Sequence, residues 1–104
     1  MKELMVVAQS EGHFLLQGDL NRDTVPNSRQ PLQELIKFHQ STPSKSATLD
    51  MSGIVHADTT GLAWLLNLLK DCQQRNIELE IVGTPETLVN LAKISDVDAL
   101  LSLQ

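Results

Sequence analysis

Leu49-Asp50-Met51-Ser52-Gly53, a short connection, and then Asp58-Thr59-Thr60-Gly61-Leu62-Ala63-Trp64-Leu65-Leu66 decide how this chain folds. Ala47, Leu49 and Met51 alternate with Thr48, Asp50 and Ser52, the period of two that a half-buried strand requires. Residues 53–57 read as a loop. Asp58 then stands at an N-cap position, where its carboxylate can accept from the free amides of a new helix. That helix is predicted over residues 59–75, with Leu62, Leu65, Leu66, Leu69 and Cys72 as its core stripe. A strand feeding directly into an amphipathic helix is the first half of a strand–helix–strand crossover.

Working downstream, residues 77–82 supply the returning strand. Thr84-Pro85-Glu86 opens another helix with a capping threonine and a proline at the first helical position. Leu88, Leu91, Ala92 and Ser95 share its inner face, and Asp96 can cap a last short helix carrying Val97, Leu100 and Leu101. Upstream, apolar runs at residues 4–9 and 13–17 flank Ser10-Glu11-Gly12, a hairpin signature. Thr24 can cap a helix running to about His39 with Leu32, Leu35 and Ile36 on one face, and Pro31 either kinks that helix or marks its true start. The order β-β-α-β-α-β-α-α implies right-handed crossovers, hence a mixed sheet of about four strands with helices mainly on one face. Residues 1–104 read as one α/β domain.

At 104 residues the chain suits a single core. Apolar residues make up 41% and aromatic residues 3%, so that core is aliphatic. A formal net charge of -5 argues against a nucleic-acid or anionic-membrane partner. The one cysteine, Cys72, has no disulfide partner within the chain and reads as a buried thiol, which suits the cytoplasm. The N-terminal residues lack a signal-peptide pattern. The most apolar segment, residues 62–69, is far shorter than the roughly 20 residues a membrane-spanning helix needs.

The hardware of enzyme chemistry is missing. His13, His39 and His56 lie on different elements without metal-ligand spacing, and there is neither a phosphate-binding Gly-rich loop nor a Gly-x-Ser-x-Gly turn. Turn formation and capping account for Asp19, Asp23 and Asp58. No cofactor, metal or catalytic residue is expected. The helix start is more informative. Thr59 and Thr60 carry hydroxyls in a first turn whose free amides and dipole favour negative charge, so a phosphate on Thr59 would be tolerated; the alternative is that Asp58 and the threonines merely begin a helix. Projection at 100° per residue puts Thr60, Trp64, Asn67 and Asp71 opposite the core stripe with Leu68 at its margin. Trp64 is then a contact anchor, unless another helix covers it.

These residues resemble a known family. The strand and Asp58-Thr59-Thr60-Gly61-Leu62 resemble the signature of STAS domains, shared by anti-sigma-factor antagonists and sulfate-transporter tails, and Gly18-Asp19-Leu20-Asn21 resembles the family's turn after the second strand. Residues 18–23, 61–66 and 91–93 look most similar to the MlaB-type subunit, the small cytoplasmic component of an ABC transporter that moves phospholipids between the membranes of Gram-negative bacteria. The resemblance implies a STAS fold, an ATPase subunit as partner within a complex that includes a permease, and attachment to the inner membrane only through that complex. It also implies a docking surface formed by Thr59, Thr60, Trp64 and Leu68. The rival it allows is an anti-sigma-factor antagonist controlled by phosphorylation of Thr59.

Overall fold

The computed structural model describes residues 3–43 and 45–97. Strand β1 (Met5–Ser10) turns back through Glu11 and Gly12 into β2 (His13–Leu20), and the two pair antiparallel. Gly12 has a φ of 78°, and a Cβ there would come within 2.9 Å of the Phe38 ring, so the turn needs glycine both for its backbone and for its contact. A 3-10 turn (Val25–Asn27) precedes helix α1 (Gln30–Ser41), in whose first turn Pro31 lies. Of the two roles open to Pro31, it is therefore the true start, where its missing N–H costs nothing. Thr24 does not cap α1; it belongs to the turn before it.

Strand β3 (Ala47–Ala57) leads through Asp58 into α2 (Thr59–Gln74), β4 (Leu79–Val82) and α3 (Glu86–Ile94). The sheet order is β1-β2-β3-β4, with β2, β3 and β4 mutually parallel. This is the expected mixed four-stranded sheet. One face contributes Val6, Phe14, Leu16, Ala47, Leu49, Met51 and Ile54 to the core, where they meet Leu35 of α1, Leu62, Leu65 and Leu68 of α2, and Leu88 and Ala92 of α3. All three helices therefore cover the same face.

Two strands run further than the alternation pattern indicates. The loop expected over residues 53–57 is instead the second half of β3, and β2 continues through Gly18-Asp19-Leu20 beside it. The register shifts between Leu15 and Gln17 and again between Gly18 and Asp19. Each irregularity breaks the two-residue period, which hides the continuation of a strand from a pattern search.

Helix α2 ends in a Schellman motif. Asn76 takes a φ of 59°, its amide donates to the Gln73 carbonyl at 3.1 Å, and the Ile77 amide donates to the Cys72 carbonyl at 2.8 Å. Ile77 is thereby spent on the helix end and is buried, so β4 begins two residues later than expected. Helix α3 ends the same way at Asp96, with a φ of 58°. At its start, Pro85 and not Thr84 occupies the N-cap position, without a side-chain cap. The short helix expected around Leu100 and Leu101 lies outside the described residues.

A converging pair of turns at the start of helix α2

Asp58 sits in extended backbone and its carboxylate does two things. Oδ1 accepts from the Gly61 amide at 2.9 Å, closing the N-cap, while Oδ2 accepts from the Arg22 amide at 3.3 Å. The Asp58 amide donates to the Leu20 carbonyl at 3.2 Å. Gly61 completes the junction because a Cβ at that position would overlap the Leu20 carbonyl oxygen. The two sequence motifs, 36 residues apart at Arg22 and Asp58, thus form one structure in which the first turn of α2 is seated on the end of β2.

The β2 end of that junction is itself wired. The Asn21 side-chain oxygen accepts from the amides of Asp23 and Thr24 at 3.0 and 3.2 Å, an Asx turn. The Thr24 hydroxyl donates to the Asp19 carbonyl at 2.8 Å and accepts from the Asn21 amide at 3.1 Å. Asp19 is buried, with a carboxylate oxygen 3.3 Å from Nδ1 of exposed His56 on the neighbouring strand. This pairing was not anticipated from the sequence, where Asp19 and His56 look like a turn residue and a loop residue.

From this fixed base, Thr59 and Thr60 project into solvent, followed along the same side of α2 by Ala63, Asn67 and Lys70. Two expected members of this surface lie elsewhere. Leu68 is 4% exposed and belongs to the core. Trp64 is half-buried against the core, and its Nε1 donates to the Ser28 carbonyl at 3.2 Å, tying α2 to the chain entering α1. It forms one wall of a groove of about 420 Å³ between α1 and α2, with Leu32, Ile36 and Arg29 among the other walls. The reason is helical phase. The buried stripe is Gly61, Leu62, Leu65, Leu68 and Cys72, with Leu66 and Leu69 at its margin, rotated by roughly half a residue's 100° step from the stripe centred on Leu66 and Leu69. Ala63 was missed for the same reason; reading Leu68 as core would have placed it opposite.

Burial, with the nearby Asp71 carboxylate adding to it, pushes the Cys72 thiol up to about 11, so it stays protonated and unreactive. Among the described residues no three His, Cys, Asp or Glu side chains gather where a metal ion could be held, and no helix is long and apolar enough to cross a membrane.

The STAS domain family model matches residues 5–104. The chain belongs to the STAS family. Among solved structures, this STAS domain resembles the anti-sigma factor antagonist SpoIIAA in its unphosphorylated form, at 9% identity and a TM-score of 0.55, over 88% of this chain and 82% of that one. It also resembles part of SLC26A9, at 19% identity and a TM-score of 0.65, over 88% of this chain but 17% of that much longer one. At such identities these two likenesses speak for the fold. The residues whose pattern resembles the STAS signature, Asp58 to Leu62 and Gly18 to Asn21, meet at the junction of β2, β3 and α2 described above.

Proposed function

We propose that this STAS domain is a non-catalytic subunit of a bacterial ABC-type phospholipid transport system, seated on the cytoplasmic ATPase subunit and held near the inner membrane only through that partner. The observation that supports this reading is the exposed strip Thr59, Thr60, Ala63 and Asn67 on a helix whose first turn is locked to the sheet by Asp58 and Gly61. Small side chains allow close approach of a partner, the two hydroxyls and the amide offer hydrogen bonds, and a fixed base means little ordering cost on binding. The groove beside Trp64 adjoins the strip. Docking there acts on the ATPase by favouring its assembled, competent conformation, a shift of population that adds no group to the active site.

The exposed Thr59 hydroxyl also favours a second reading, an anti-sigma-factor antagonist in which phosphate on Thr59 controls partner affinity. The helix dipole at the first turn of α2 favours such a phosphate, against the repulsion of the neighbouring Asp58 carboxylate that caps the same turn. One experiment separates the two. The protein is isolated from native membranes beside a Thr59→Glu/Ala63→Arg variant, and bound proteins are identified. Recovery of an ABC ATPase and permease by the wild type, lost in the variant, supports the transport reading; recovery of an anti-sigma factor overturns it in favour of the second. Recovery of the transporter by both forms retains the role but removes α2 as the surface.

A further inference from the structure

The sheet face turned away from the helices is unusual in three respects. Parallel strands are ordinarily covered on both faces, yet β2, β3 and β4 carry α1, α2 and α3 all on one side. Five large apolar side chains stand exposed among the described residues, and four of them, Met5, Val7, Val55 and Val82, lie on this face, one or two to a strand on β1, β3 and β4. Half-buried Leu15 on β2 lies opposite Val7. Between Met5 and Val55, Gly53 leaves a depression of about 410 Å³. A Cβ at Gly53 would meet that of Gln17 at 2.7 Å.

The charges on this face are of one sign. Glu3 borders the depression, Glu80 lies beside Thr48, and Asp50 lies beside Val82. None of the four strands contains a lysine or an arginine. With Asp50 set between Leu15 and Val82, Glu3 and Glu80 at the margins and only the imidazole of His13 beside them, the face disfavours a second copy of itself, which would set acid against acid.

We propose that the open sheet face is a second docking surface, on the opposite side of the sheet from α2, and that it receives an amphipathic helix of a partner protein whose aliphatic stripe is flanked by lysine or arginine. The stripe covers Met5, Leu15 and Val55, one aliphatic side chain enters the depression at Gly53, and the flanking cations face Glu3, Asp50 and Glu80. This surface does not depend on the transport reading.

The test uses the full chain, labelled for NMR, and an 18-residue amphipathic helical peptide with a leucine stripe flanked by lysines, beside the same peptide flanked by glutamates. The lysine peptide is expected to shift the amides of Met5, Val7, Leu15 and Val55, with affinity falling as salt is raised. A Val55→Lys variant is expected to weaken it at least tenfold, and a Glu3→Gln/Glu80→Gln variant, which leaves the apolar stripe intact, severalfold; thermal melting checks that each is folded. Equal binding of the two peptides, shifts confined to α1 or α2, or no binding by either peptide would overturn the proposal. So would contacts from residues 98–104 across the face, or concentration-dependent shifts there without peptide, which would identify the tail or a second copy as the occupant.

Discussion

Gly61→Ala sets two physical effects of opposite sign against each other. Within a helix, replacing glycine by alanine ordinarily gains about 1 kcal/mol through propensity. Here the new Cβ would overlap the carbonyl oxygen of Leu20 and come within 2.9 Å of its carbonyl carbon and Cγ. Backbone atoms at the end of a paired strand cannot rotate aside, so α2 must lift. Lifting it stretches the Asp58 contacts to the Gly61 and Arg22 amides and loosens Leu62 and Leu65 in the core. Overpacking of this kind costs about 1–3 kcal/mol, and a lost cap adds about 1 kcal/mol. The net expectation is a destabilisation of about 1–3 kcal/mol, read as a fall in Tm of roughly 5–15 °C for a domain of this size. Urea titration and thermal melting followed by circular dichroism measure it. Ala63→Gly, on the exposed side of the same helix, is the control, with a loss of about 1 kcal/mol from propensity alone. A Gly61→Ala variant as stable as the wild type, or more so, would refute the close seating of α2 on β2.

Asp58→Ala removes the acceptor for both the Gly61 and Arg22 amides and is expected to cost about 1–2 kcal/mol, whereas Asp58→Asn, which keeps a side-chain oxygen, should cost less than half of that by the same urea titration. Trp64→Phe keeps most of the packing but removes the donor to the Ser28 carbonyl; a loss of about 1 kcal/mol is expected, and a neutral result would mean that the bond contributes nothing to holding the entry to α1. The Cys72 thiol titrates near its ordinary 9.0 when unfolded and at about 11 when folded. A raised folded value means that its contribution is complete below pH 9 and is lost as pH climbs from there towards 11, with a slope of at most about 1.4 kcal/mol per pH unit. Cys72→Val should flatten the stability profile in that window, and an unchanged slope would show that other groups produce it.

Much of this architecture was legible because local and global signals agree. The alternation at Ala47, Leu49 and Met51, the cap at Asp58 and the apolar stripe of α2 each point to a strand running into a helix, and the structure has both. Legibility failed where one residue was asked to serve two patterns. At the bulges of β2 and β3 an extra residue reverses the alternation, so Gly53 and Val55 looked like a loop although they are strand. On α2, Leu62, Leu65, Leu66, Leu68 and Leu69 provide more apolar positions than one stripe can bury. Sequence alone cannot choose between the stripes around Leu66 and Leu68; packing against Leu32, Leu35 and Ile36 of α1, beside the Trp64 bond to Ser28, makes the choice. At the candidate site, Asp58, Thr59 and Thr60 were readable from cap chemistry, which is local. The Asp19–His56 pair depends on strand register and was not.

The two surfaces are linked by a single strand. Within β3, Val55 faces the open side of the sheet, and three residues later Asp58 begins the helix that carries Thr59 and Thr60. Val55 itself is the bulged residue, flanked by the pairs Gly18–Ile54 and Asp19–His56; beyond it Leu20–Ala57 continues the pairing to the Asp58 contacts. Paired on both sides of the bulge at Val55 and held at Asp58, the segment has little freedom to be bent by a ligand on one side. If both proposed surfaces are used, this geometry fits a domain that holds two partners in fixed relation, one against α2 and one against the sheet, better than one whose second site switches the first. In energetic terms, Thr59→Glu should weaken binding at α2 by the same factor whether or not the sheet face is occupied, since coupling requires an element with two arrangements and this junction is built around one.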